Sequence, residues 1–365
     1  MARFRWLLFF VSTVLLLAPV LVNMAALMPI IPGAQEADVL GTAWYVYQGR
    51  WLFVALGLVL FFVSGRHILR RGRWWSISLA SIVVLVVVAL HVLSNTMMSA
   101  EAMFAEPHIV QHGQLEQAGL SDDDGLIVVR DGNRLRAWPI DLVAHHHKIA
   151  DSIGSTAVLV TYCTMCHTGR VYSPVIDGTH ERFRLVGANF YNAVFEDEST
   201  GSWWYQATGE CAVGSRKGSV LTDIPFETMT VSTFRTLVDS LRRDSASTVI
   251  ADVFLPDTSM TSEVQWAKGY SKRFDTTGGR RSLVIGFSLG DSTYGVPFAR
   301  LLRSYPKPYR VTVGSADLTF SGNNPNDVVI VQATSDSTSR RVPYTVDHYH
   351  AWRRFSPSGV FVSEQ

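Results

Sequence analysis

The chain has 365 residues, a formal charge of +1 and only three cysteines. Near-neutral charge argues against a nucleic-acid partner, because phosphate binding needs a basic surface and the basic residues that cluster here do so in one short loop. The apolar content of 47% is concentrated before residue 100, which sets an N-terminal segment apart from residues 105–365.

Leu7 to Ile31 carries no charge over about 25 residues, and at roughly 1.5 Å per residue it exceeds a hydrocarbon core of about 30 Å. A second apolar stretch covers about 45–65, with Arg50 near one end where its long side chain can reach the interface. A third covers about 74–93. The expected architecture is an α-helical transmembrane anchor of three spans over 1–104, then a β-rich α+β extracytoplasmic domain over 105–365. A cleavable signal peptide is the competing reading of the first stretch, disfavoured because its apolar run is longer than the usual signal and two more follow.

Arginines orient the anchor. Arg3 and Arg5 precede the first span, and Arg66, Arg70, Arg71 and Arg73 fill the loop between the second and third. The opposite flanks carry Glu36, Asp38, Glu101 and Glu106 with no lysine or arginine. The N-terminus is therefore expected in the cytoplasm, with the large domain periplasmic or extracellular. Trp44, Tyr45, Trp74 and Trp75 sit at expected span ends, as an aromatic belt would. The inner or cytoplasmic membrane is the expected location and the lipid bilayer the expected partner.

Downstream, Leu126-Ile127-Val128-Val129-Arg130, the turn Asp131-Gly132-Asn133, and Leu135-Arg136-Ala137-Trp138 read as a hairpin. A helix is expected over Ile140 to Ile149 after Pro139, then an apolar strand over Ala157 to Tyr162. Further strands are expected at Gly169 to Ser173, Arg182 to Val186 and Tyr191 to Glu196, and a helix at Ser232 to Arg243. From Ala251 an irregular region is expected to end at Gly278-Gly279. Leu283-Val284-Ile285-Gly286, Tyr294 to Pro297 and the following Phe298-Ala299-Arg300-Leu301-Leu302 then repeat the order hairpin, proline, helix, with a later strand at Val311 to Val313. This suggests a weak internal duplication, with halves at 120–250 and 280–360.

The apolar strand Ala157 to Tyr162 delivers Cys163-Thr164-Met165-Cys166-His167 at its end. A Cys-x-x-Cys pair can cycle between dithiol and disulfide, with Cys163 as nucleophile and Cys166 resolving it. As an inert staple the pair is a poor choice, since so short a loop stabilises by only about 2 kcal/mol. The same sulfurs suit copper or zinc, with His146, His147, His167 and Cys211 as further ligands. The five residues also fit the c-type haem attachment pattern letter for letter. All three readings stay open on the residues alone. His145, His146 and His147, and likewise His348 and His350, read first as surface imidazoles. Arg170 would favour a thiolate at the pair, and Asp197 to Gln206 offers a carboxylate, hydroxyls and an amide to line a site. The alternative for that segment is a strand-turn-strand with Asx-type turn bonds and core tryptophans.

Trp138-Pro139, Asp151-Ser152-Ile153-Gly154, Val160-Thr161-Tyr162-Cys163, Cys166 and Thr168 are followed by Asn192, Asp197, Thr200, Ser202, Trp204, Gln206 and Gly209. This text resembles the prokaryotic domain-of-unknown-function family DUF3179, strongly over Leu135 to Gly218 and more loosely over Leu283 to Arg354. In that family frame Pro-Leu stands where this chain has Thr164-Met165, and His167 falls where a small or polar residue is usual. The resemblance therefore weakens the haem reading. Some members look like selenoproteins at the cysteine motif, which implies redox chemistry with an unnamed redox or metal-delivery partner.

Overall fold

The computed structural model describes residues 2–28, 33–71, 73–244, 248–257, 282–321, 329–333 and 339–362. They form two compact units, one of 1–105 with Phe183–Trp204 and Cys211–Ser219, the other of the remaining residues.

The first unit begins with four helices, α1 (Ala2–Leu27), α2 (Leu40–Gln48), α3 (Arg50–Arg71) and α4 (Trp74–Thr96). Trp6–Leu27 and Trp74–Thr96 are long and apolar enough to cross a membrane, and α2 with α3 makes a third such element only as a pair bent by 58°. The expected second span at 45–65 is thus interrupted. The break falls at Gly49, which ends α2 with its N–H on the Tyr45 carbonyl. The first helix also stops at Leu27, short of the expected Ile31. Gly57 lets α3 approach α1 closely, since a Cβ there would meet the Leu16 side chain at 2.8 Å. His91 Nε2 lies 2.8 Å from the Leu16 carbonyl, one turn before Pro19. Phe10, Leu52, Phe62 and Leu85 point outward and exposed, as suits a bundle facing hydrocarbon.

The second unit opens with the hairpin β1 (Gly125–Asp131) and β2 (Arg134–Pro139), then α5 (Ile140–His146). Helix α5 ends earlier than the expected Ile149. His147 takes the left-handed conformation (φ 61°) that closes a helix, and the chain turns into a meander of β3 (Lys148–Ile153), β4 (Thr156–Cys163) and β5 (Thr168–Tyr172). The following insert forms β6 (Phe183–Asn189), β7 (Asn192–Asp197), β8 (Trp203–Tyr205) and β9 (Cys211–Val213), mostly within the first unit. There Gln35 Nε2 donates to the carbonyls of Ala26 and Ala188, and Gln35 Oε1 accepts from the Tyr191 N–H.

Next come β10 (Phe226–Thr230), α6 (Val231–Asp244) and β11 (Ile250–Phe254). Strand β11 replaces the irregular chain expected from Ala251, because its alternate residues Ala251 and Val253 pack on the α6 core. Gly278-Gly279 lies outside the described residues. The second half contains β12 (Leu283–Leu289), β13 (Ser292–Pro297), α7 (Phe298–Ser304), β14 (Tyr309–Val313), β15 (Ala316–Ser321), β16 (Val329–Ala333), β17 (Tyr344–His348), α8 (Tyr349–Phe355) and β18 (Val360–Phe361).

The two halves share one order. In the first, β1 pairs with β2 and β10 antiparallel and β2 with β11 parallel; in the second, β12 pairs with β13 and β17 antiparallel and β13 with β18 parallel. Pro139 and Pro297 precede their helices with nearly the same angles, φ −57° in both and ψ 126° and 123°. Register makes Leu126, opposite Pro139, equivalent to Val284, opposite Pro297.

Asp151 anchors the meander to the first sheet. Burial works to raise its carboxyl, yet hydrogen bonds from His112, the Ser152 N–H and Trp138 hold it below the ordinary value. His147 shows the opposite balance, for burial pushes its imidazole down to about 4. A base with a lowered folded pKa leaves the unfolded chain binding more protons, so stability is full above about pH 6.5 and falls as pH drops toward 4. The slope is at most about 1.4 kcal/mol per pH unit. His147→Asn, which tolerates the left-handed conformation, is expected to flatten that acid-side loss when melting of the purified protein is followed from pH 7 to pH 4.5.

Candidate functional site

The cysteine pair sits where β4 turns into β5. Strand β4 is buried from Val158 to Cys163 and is flanked by β3 and β5, so its end is fixed from both sides. Cys163 and Thr168 are the last paired residues, which leaves Thr164 to His167 as a four-residue turn. His167 ends it at φ 56°, a left-handed conformation that favours glycine. Cys163 and Cys166 are not joined by a disulfide, have no exposed surface and hold their sulfurs 2.9 Å apart. A disulfide of about 2.05 Å would need roughly 1 Å of relative movement. Thr164 and Met165 are half-buried, so the pair lies beneath one turn of chain.

Strand β17 completes the surroundings. The Cys166 carbonyl accepts from the His348 N–H at 2.7 Å and from Thr168 Oγ1 at 3.2 Å. Asp347 accepts from Thr168 Oγ1 and from Thr345 Oγ1, both at 2.6 Å, with Arg170 3.8 Å away. His167 Nδ1 shares a hydrogen with the Tyr162 hydroxyl at 2.8 Å, and its ring packs edge-on against His348, 5.5 Å between centroids. Burial pushes the His167 imidazole below its ordinary value, against a backbone hydrogen bond and the charge of Asp347. Burial likewise lifts the Tyr162 hydroxyl well above its ordinary value. At neutral pH the thiols are thus bordered by a neutral imidazole and a neutral phenol, with one carboxylate and one guanidinium farther out.

Of the residues expected from sequence, Cys163, Cys166 and His167 come together. Arg170 is turned toward the Ala207 and Gly169 carbonyls and Asp347. Gln206, fully buried, donates to Thr161 Oγ1 and the Thr168 carbonyl and so braces β4 to β5. Asp197 and Cys211 belong to the first unit. Asp197 accepts from the Thr200 N–H and hydroxyl and from Trp204 Nε1, which is the Asx-type turn with a core tryptophan. The Cys211 thiol is pushed up to about 11 by burial and faces the Val213 carbonyl.

His145, His146 and His147 are all buried, contrary to the surface reading, because α5 packs its last turn inward and the chain turns back at His147. His348 is buried as well, between the rings of His167 and His350. Among the described residues no group of three or more His, Cys, Asp or Glu side chains is placed to hold a metal ion. Haem attachment does not fit either, since both sulfurs would have to face a porphyrin edge and here they face each other, fully buried.

Sequence reading missed Thr345 and Asp347. By register Asp347, opposite Val284, is equivalent to Met229, opposite Leu126, so the first half has an apolar residue where the second has a carboxylate. A charged residue inside the β-type run Tyr344 to His348 was the available signal.

Gln206→Ala removes both braces and leaves a buried carbonyl and hydroxyl with fewer partners. A loss of about 2 kcal/mol is expected in thermal or denaturant unfolding of the purified protein.

No curated protein and no solved structure matches the chain. The model of a family described as a protein of unknown function, DUF3179, matches residues 104–351, more than half of the chain. The cysteine turn, the Gln206 brace and Asp347 all fall within that match, and the chain belongs to the DUF3179 family.

Proposed function

We propose that the protein is a membrane-anchored thiol–disulfide oxidoreductase whose redox centre is Cys163 and Cys166. The observation that carries this reading is the 2.9 Å contact between the two thiols at the end of a paired hairpin. Cys163 is the attacking sulfur and Cys166 the resolving one. Among the described residues no third His, Cys, Asp or Glu side chain joins the two sulfurs in a metal-holding group, which supports this reading over a four-ligand zinc site.

Alkylation of the denatured protein after equilibration in graded redox buffers should show both thiols disappearing together within about −300 to −120 mV, the range of biological dithiols. A pair that stays alkylatable throughout would sink the redox reading. Cys166→Ser should then accumulate a mixed disulfide on Cys163.

The anchor is read as three spans, with bent α2 and α3 counted as one, the N-terminus cytoplasmic and the large domain outside. Arg66, Arg70 and Arg71 at the end of α3 and Arg73 just before α4 support this, as do the apolar, outward-facing surfaces of the helices. The shared strand order of the two halves supports an internal duplication. A cysteine introduced as Thr179→Cys, on the exposed two-residue strand Thr179–His180, should react with a membrane-impermeant maleimide on intact spheroplasts, whereas Ala2→Cys should react only after lysis. The reverse pattern would overturn the orientation.

A further inference from the structure

The second unit holds a cavity of about 1100 Å³ whose wall includes Thr168, Arg170 and Tyr172. These alternate along β5 and therefore project from one face of the hairpin. Directly paired residues of antiparallel strands share a face, and Cys163 is paired with Thr168 as Thr161 is with Arg170. The Cys163 side chain thus lies on the cavity side, behind Thr168, although it is itself fully buried. Opposed side chains start about 5 Å apart at Cβ, so Thr168 and its bond to Asp347 form the layer between sulfur and cavity.

The cavity is charged in both senses. Arg341 pairs with Glu227 at 3.1 Å, and Arg170 stands 3.8 Å from Asp347. Two further lining groups, Arg130 and Asp223, form no close ion pair among the described residues; Arg130 donates to the Gly132 carbonyl, and burial raises the Asp223 carboxyl against the charge of Arg170. Aromatic surface comes from Phe226, Trp352 and Phe355. A guanidinium, a carboxyl group and an apolar wall suit a zwitterion of modest size. A disulfide carried on a protein surface would not reach a sulfur behind a strand, whereas a small molecule entering the cavity would stop one residue short of it.

Building on the dithiol reading above, we propose that the cavity binds a low-molecular-weight disulfide bearing ammonium and carboxylate groups and presents it to Cys163. Displacement of the Thr168 side chain opens the last step. The Cys163 thiol gives its proton to cavity water and its sulfur attacks the ligand's S–S bond. One half leaves as a thiolate and takes up a proton, and the other stays joined to Cys163. Cys166 loses its proton and attacks Cys163, so that the second half departs as a thiol. Two electrons and two protons pass to the ligand, and a Cys163–Cys166 disulfide remains.

The test uses the prereduced full-length protein in detergent, with pair oxidation read by the mass shift after alkylation. With each rate divided by that for reduction of the same disulfide by dithiothreitol, cystine at equal concentration is expected to oxidise the pair at least about tenfold faster than uncharged 2-hydroxyethyl disulfide, the effect of about 1.4 kcal/mol of head-group binding. Asp223→Asn removes the carboxyl group and Ser288→Trp fills part of the cavity from an exposed strand position. Each should bring the ratio below about threefold. Equal normalised rates in the wild type, or a cystine preference that survives both variants, would overturn the cavity assignment and leave the dithiol reading standing. If neither disulfide nor any redox buffer oxidises the pair, both fall.

Discussion

Asp347 is the group on which the rest of the site depends. One carboxylate accepts from Thr168 on β5 and from Thr345 on its own strand, with Arg170 beside it. Hydrogen bonds to a carboxylate inside a protein are strong, and a buried carboxylate with none of them is costly. Through Thr168 it fixes the end of the hairpin that carries both thiols. Through the neighbouring His348 N–H it also fixes the Cys166 carbonyl. The thiols come from one half of the soluble region and their fixing group from the other, so neither half holds this geometry alone.

That division explains what the sequence could reveal. The hairpin-proline-helix order of both halves was legible because it rests on local signals: a turn of Asp-Gly or Gly-Asp type, a proline that presets φ, and apolar alternation. The cysteine turn was legible for the same reason. Asp347 was not, because its meaning depends on a strand pairing that brings residues about 180 apart in sequence into contact. The buried histidines failed for a related reason. Their polarity suggested surface, whereas the inward packing of α5 and a left-handed residue at His147 place them inside. The continuous second span failed at Gly49, where a single glycine within an apolar run marked a bend.

The Asp197 to Gln206 run shows how one motif can serve two purposes. Asp197, Thr200, Ser202 and Trp204 close a turn within the first unit, while Gln206, two residues later, braces the thiol hairpin in the second. Similar polar types therefore gave no indication of which would approach the cysteines. What separates them is strand β8, along which the chain passes from one unit to the other.

The insert also bears on how the helical unit is held. Phe190 and Tyr191 form the two-residue turn between β6 and β7, both at positive φ (55° and 60°), where Asn-Gly would be the unstrained choice. Such strain costs on the order of 1 kcal/mol or more per residue and persists only where neighbours over-determine it. Here the neighbour is Gln35, which binds the Tyr191 N–H, the Ala188 carbonyl and the Ala26 carbonyl at the end of α1. A second tie joins Arg184 to Glu196 and the Tyr47 hydroxyl, with Trp203 donating to the same Glu196. Aromatic residues kept in a turn that disfavours them, and seated against the end of an apolar helix, are what an insert gains from being folded as part of the helical unit. The corresponding stretch of the second half, from β16 to β17, is only residues 334–343, and its described part holds the short strand Ser339–Arg341.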